Sequence, residues 1–159
     1  MFCSDIIFHL SIFAWYDIQY HMKIVIDTNV LVSALRSRRG ASFKLVSSIP
    51  NNKFSIAISV PLVFEYEDAL KRLESDAITE QDIGDFVDFL CEIGHHQEIF
   101  FLWRPFLPDP YDDHVLEVAV AAGCDAIITY NKRDFRGVER FGLRVLDPRE
   151  LLSEIGVIS

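Results

Sequence analysis

Four short apolar runs, set among segments of helical periodicity, restrict this chain more than any other feature. Ile24–Asp27, Phe54–Ser59, Ala126–Thr129 and Leu143–Leu146 read as short strands, the first two plainly buried. A fifth strand is expected at Gln97–Trp103, "QEIFFLW". Between them lie helical patterns at Thr28–Leu35, Ala41–Ser48, Pro61 to about Glu74, a segment ending at Gly94, and His114–Ala122. Thr79, with Asp82 three residues on, resembles a capping box. Asp147 caps a last helix with Pro148 at its first position. Buried strands alternating with helices imply an α/β fold, three layers deep, around a mainly parallel sheet of about five strands. In such sheets, sites form beyond the carboxyl ends of the strands.

The unusual residues fall at those ends. Asp27 closes the first strand, and Glu65 lies in the helix after the second. Asp109, Asp112 and Asp113 stand in the proline-rich loop "RPFLPDPYDD". "TYNKRDF" after the fourth strand brings Thr129, Asn131 and Asp134. Three or four converging carboxylates raise one another's pKa unless a cation neutralises them. Hard oxygen donors suit Mg²⁺ or Mn²⁺. Such ions polarise phosphoryl oxygens and activate water, so metal-assisted phosphodiester hydrolysis is the chemistry suggested. The alternative for Asp27, and for one of Asp112 and Asp113, is helix capping, because Asp is favoured at an N-cap.

The formal charge of −9 over 159 residues argues against a stoichiometric nucleic-acid coat, but not against an enzyme that cuts one. Two basic clusters, Arg36, Arg38 and Arg39, and Lys132 and Arg133, follow strand ends and are candidates to grip RNA phosphates; a solvated charged face is the alternative. Phe100, Phe101, Trp103 and Phe106 are expected to pack in core and loops, with base stacking the alternative. His95-His96 and "DDH" do not make a His-Asp phosphohydrolase pattern, and Asn29 stands where a phosphoaspartate enzyme needs a second acid. Cys3, Cys91 and Cys124 show neither zinc-site spacing nor a disulfide framework, which points to a reducing, cytoplasmic compartment.

"MKIVIDTNVLVSAL", "SVPLVFEYEDALKRL" and "DPYDDHVLEVAVAAGCDAIITYNKRDF" together resemble the PIN-domain family, in particular its VapC-type toxins. The resemblance runs from Met22 to about Leu151. It implies a PIN-like fold and a Mg²⁺- or Mn²⁺-dependent endoribonuclease acting on single-stranded RNA. It places catalytic ligands on Asp27, Glu65 and Asp113, with Asp112 the rival for the third place. Asp134 is a further metal candidate, because Asn131 replaces the acid many members carry two residues after the threonine. Thr28, Asn29, Thr129 and Asn131 would support the ligands and the phosphate. A protein antitoxin and a homodimer are the partners it implies. An apolar groove around Leu31–Val46 and Leu62–Leu73 is the expected antitoxin seat. The competing reading is an inert PIN-fold module that only binds an antitoxin or an RNA-processing partner.

Residues 1–21 contain no Lys or Arg, and Asp5 and Asp17 interrupt their apolar runs, so they form neither a membrane span nor a signal peptide. Met22 stands directly before the first strand. The expectation is an over-extended start, with one domain over residues 22–159. Without the leader the formal charge moves from −9 to −7, since two acids and no bases are lost. Intact-mass measurement of the native protein is expected to give a chain beginning at Met22; a native peptide beginning at Met1 or Phe2 would overturn this.

Overall fold

The computed structural model describes residues 21–49, 53–73 and 78–158. Residues 1–20 of the leader and the end of the helix expected to reach Glu74 lie outside these residues. The elements, in chain order, are β1 (Met22–Ile26), α1 (Thr28–Arg36), α2 (Ala41–Ser47), β2 (Phe54–Ile58), α3 (Val60–Lys71), α4 (Glu80–Ile93) and β3 (His95–His96). Then follow α5 (Asp113–Ala121), β4 (Ala126–Ile128), a 3₁₀ turn (Val138–Phe141), β5 (Arg144–Leu146) and α6 (Pro148–Glu154).

All five strands pair in parallel, in the order β3-β2-β1-β4-β5. Ile24, Val25 and Ile26 face Ala126, Ile127 and Ile128 in register. These six residues are almost wholly buried, as expected of a sheet covered on both faces. β2 lies on one side of β1 and β4 on the other, so the chain reverses its direction of travel across the sheet between β1 and β4. That reversal opens a crevice at the carboxyl ends of these two strands.

α5 packs on β1, β2 and β4, and α3 packs on α1, α4 and α5. Leu62, Tyr66 and Leu70 form the buried stripe of α3, at the spacing of one helix face. The Tyr66 hydroxyl donates to the carbonyl of Ile26, locking α3 to the end of β1. Ser59, Thr79 and Asp147 cap α3, α4 and α6, and the last two are complete capping boxes.

The expected strand at Gln97–Trp103 does not form. Pairing with β2 covers only His95 and His96, and the last ladder-type bond is Gln97 N–H to the Ile58 carbonyl. The following residues leave the sheet. Phe100 is 87 % exposed, and Phe101, Leu102 and Trp103 are exposed as well, so the core placement expected for these aromatics is corrected. Phe101 meets Trp103 at a tilt, and Trp103 and Phe106 each meet Phe141 edge to face; Phe106 and Phe141 are half-buried against the core, as expected of Phe106. The apolar pattern alone could not distinguish this surface run from a buried strand.

Two buried acids one turn apart on α5 hold the loop that follows. Glu117, 2 % exposed, accepts from the Trp103 N–H and from Arg104 Nε and Nη2 at 3.0 and 2.7 Å. Asp113, fully buried, accepts from the Phe106 and Leu107 N–H groups. Loop backbone that would otherwise lack partners is thereby satisfied.

At the α4–β3 junction, a Cβ on Gly94 would lie 2.7 Å from both Ile58 Cδ1 and the Leu90 carbonyl oxygen. Gly94→Ala is therefore expected to destabilise the fold by about 1–3 kcal/mol through overpacking. Urea titration of the two proteins checks this, and an unchanged midpoint would contradict it.

Candidate active site

Two acids stand at helix N-caps and do not cap. Asp27 precedes α1, yet no cap hydrogen bond of its side chain to the helix forms. Asp112 precedes α5 and makes none either. Asp27 Oδ2 instead accepts from Thr129 Oγ1 and from Asn29 Nδ2, both at 2.6 Å. Asn29 Nδ2 also donates to Thr129 Oγ1, and its carbonyl oxygen accepts from the Tyr130 N–H. Thr129 Oγ1 accepts in turn from the Asn131 N–H. The end of β4 and the start of α1 are thus stitched around one carboxylate at the crevice.

An open cavity of about 460 Å³ lies over this network. Asp27, Glu65 and Asp112 line it with Thr28, Asn29, Arg36 and Asn131. Burial raises the pKa of Asp27 against the lowering effect of Thr129, and Glu65 raises it further. Asp112 is pushed up to about 7 by burial and by the charges of Asp27, Asp109, Asp134 and Glu65. Glu65 goes the other way. Burial would raise it, but hydrogen bonds from His114 and Thr28 hold it below its ordinary value. Thr28 Oγ1 donates to Glu65 Oε1 at 2.7 Å, and His114 Nε2 sits against Oε2.

The structure brings Asp27, Glu65 and Asp112 together with Thr28, Asn29, Thr129 and Asn131. It places Asp113 elsewhere: that side chain is committed to the N–H groups of Phe106 and Leu107, away from the cavity lining. Asp113 and Asp112 differ by one position, and neighbouring residues at a helix start point about a quarter-turn or more apart. Asp134 is near enough to act on Asp112 electrostatically but does not line the cavity. Lys132 faces the other way, paired with Asp147 and Glu150. Arg36 lines the cavity rim. His114, one residue after Asp113 and inside the first turn of α5, also reaches the cavity through Glu65.

Leu31, Leu45, Leu62 and Leu70, expected to line an apolar groove, are fully buried core. The exposed apolar residues of α3 are Val60 and Phe64, on the opposite side from that stripe. Among the described residues, Cys91 and Cys124 are free, and burial pushes the Cys124 thiol up to about 12. No helix among the described residues is long and apolar enough to cross a membrane.

The two adjacent aspartates are separable by stability. Asp113→Asn is expected to cost about 1–3 kcal/mol, because a buried amide cannot replace the carboxylate without leaving a polar group unpaired. Asp112→Asn is expected to raise the melting temperature in EDTA at pH 8 by a few degrees, by relieving like-charge repulsion. Because the folded-state pKa of Asp112 lies above its ordinary 3.8, its contribution to stability falls as pH rises from there to about 7. The variant should lack that decline. Thermal melts across pH check both, and equal losses in the two variants would contradict the assignment.

No curated protein sequence matches the chain. Among solved structures, the fold is similar to VapBC2 from Rickettsia felis bound to a DNA fragment from their promoter. That match has a TM-score of 0.56 at 15 % identity and covers 79 % of this chain and 100 % of the other. The sequence profile of the PIN domain matches residues 23–133, which span β1 to the turn after β4 and contain every acid of the cavity. The chain belongs to the PIN-domain family.

Proposed function

We propose that this protein is a Mg²⁺- or Mn²⁺-dependent endoribonuclease that hydrolyses single-stranded RNA at the Asp27–Glu65–Asp112 cavity. The observation that carries the reading is the pair of uncapped N-cap acids. Asp27 and Asp112 each forgo a helix cap, worth about 1 kcal/mol, and share a cavity with a third carboxylate instead. Like charges gathered in this way favour a cation.

The donor set fits a hard divalent ion. All three acids offer oxygen, Asn131 adds a neutral amide, and the open side leaves room for water and a phosphate. Among the described residues no three His, Cys, Asp or Glu side chains are already arranged around one metal position. Mg²⁺ uses few protein ligands and retains several waters, so the sparse arrangement suits it. Bound there, such an ion supplies charge neutralisation and a water of lowered pKa.

The chain's own residues do the rest. Thr129 and Asn29 fix the rotamer of Asp27. Thr28 and His114 hold Glu65 ionised and oriented. Arg36 at the rim is placed to meet a phosphate by paired N–H bonds. Replacement of the expected acid by Asn131 lowers the negative charge of the cavity and favours one ion over two.

The likeness in fold to VapBC2 supports the further reading that the protein is the toxin of a toxin–antitoxin pair, held by a protein antitoxin and assembled as a homodimer. The unpaired Cys91 and Cys124 accord with a reducing cytoplasm.

Calorimetric titration with Mn²⁺ and Mg²⁺, together with cleavage of a single-stranded RNA, tests the reading. Asp27→Asn is expected to remove metal binding and lower the cleavage rate at least about 100-fold while the fold persists. If neither protein binds metal, the chain is an inert PIN-fold binding module instead.

A further inference from the structure

We infer that a second, cationic cleft between α2 and α6 seats the backbone of the same RNA strand outside the acidic cavity. The inference rests on the nuclease reading above and adds a binding site to it. The cleft has a volume of about 470 Å³ and is lined by Arg38, Arg39, Lys44 and Arg149 over an apolar floor that includes Phe43 and Leu152. Among the described residues, no carboxylate lines it. Four of the chain's fifteen Lys and Arg residues converge there in a molecule of formal charge −9.

The four cations have no partner among the described residues: the side chains of Arg38, Arg39, Lys44 and Arg149 have no ion pair or hydrogen-bond acceptor there. Elsewhere Lys71, Arg104, Lys132 and Arg144 are paired with acids, whereas Arg36, Arg133, Arg136 and Arg140 have no acid partner among the described residues. Arg149 even stands in the first turn of α6, where the helix dipole disfavours a cation. Four like charges gathered without a counter-charge favour a polyanion.

The cleft and the acidic cavity are separate hollows joined by the segment Arg36–Phe43. Arg36 lines that cavity and Arg38 lines the cleft, two residues apart; a third hollow, on the other face of α1 and lined by Asp82 among others, touches both arginines. Tyr130 fixes the two regions relative to each other: its N–H bonds Asn29 beside Asp27, and its hydroxyl pairs with the buried Ser42 of α2 at 2.7 Å. A ligand visiting both regions must offer anionic groups to the guanidinium groups and still be accepted beside Asp27, Glu65 and Asp112. An acidic peptide is repelled there, whereas a phosphodiester strand meets those acids through a bound cation. Arg38, Arg39 and Arg149 suit phosphate oxygens, and the half-buried ring of Phe43 offers a face for a base.

The test uses the full chain with Mn²⁺ and RNAs whose linkages resist hydrolysis, so that binding is read without cleavage while the acids keep their cation. Fluorescence anisotropy follows labelled single-stranded RNAs of about four and about twelve nucleotides, within the range of single-strand sites. The variant is Lys44→Ala/Arg149→Ala; both residues are exposed on helix surfaces, and thermal melting confirms its fold. Each phosphate contact contributes about 0.7 to the salt slope for a single strand. The variant should therefore lower the slope for the longer RNA by about 1.4 and weaken its binding roughly 20-fold at about 0.1 M salt. Most of the long strand's advantage over the short one should disappear. Unchanged affinity and slope, with wild type cleaving RNA in Mn²⁺, would overturn the cleft and leave the nuclease standing. Wild type that neither binds nor cleaves RNA would remove both. Polyglutamate bound by wild type and lost in the variant, with RNA binding unaltered, would make the cleft a protein-docking site and overturn the inference.

Discussion

The Asp27 carboxylate, gripped by Thr129 and Asn29 where β1 and β4 part, is the contact on which the site depends. It joins the two sides of the crevice at which the strand order reverses. Because both donors reach the same oxygen, the carboxylate is held in one orientation, half of it committed to the scaffold. The Tyr66 hydroxyl, bonded to the carbonyl just before Asp27, brings α3 and hence Glu65 to the same place. A rigid parallel sheet thus delivers acids from three separate segments to one cavity.

Polar side chains in this protein divide sharply by task. Ser59, Thr79, Asp82, Asp147 and Glu150 satisfy helix ends. Asp113 and Glu117 satisfy the backbone of a loop. Asp27, Glu65 and Asp112 gather where their charges oppose one another, and burial at that point raises the cost. Stability would favour dispersing them. A concentration of unfavourable electrostatics inside an otherwise well-satisfied structure marks a site that function maintains. The acidic cavity and the cations beyond it that lack partners among the described residues are opposite faces of that departure, and the proposed phosphodiester strand with a divalent ion would neutralise both.

Much of the fold was legible in order and type. The buried runs at Ile24–Ile26, Phe54–Ile58 and Ala126–Ile128 are strands, and the capping boxes at Thr79 and Asp147 open helices as read. Gln97–Trp103 was misread because consecutive apolar residues do not reveal whether a neighbouring strand or only solvent lies alongside. Among the acids, chain position identified Asp27, Glu65 and the Asp112–Asp113 pair, but not which of the pair faces the cavity. That depends on the loop whose N–H groups claim Asp113. Lys132 counted as a phosphate contact until its pairing with α6 was visible, and Lys44 and Arg149, far apart in the chain, showed no link at all.

Local chemistry is written in the sequence, since strand, helix, cap and acid each follow from residues within a few positions of one another. By itself it determined an α/β chain of the PIN family, with carboxylates at strand ends. Tertiary structure alone decided which of those carboxylates share a cavity, which are consumed in holding a loop, and which cations are left without partners. The reason is physical: a charge is free or satisfied according to the groups that folding places against it, and for Asp27 the hydroxyl that holds it lies 102 positions away in the chain.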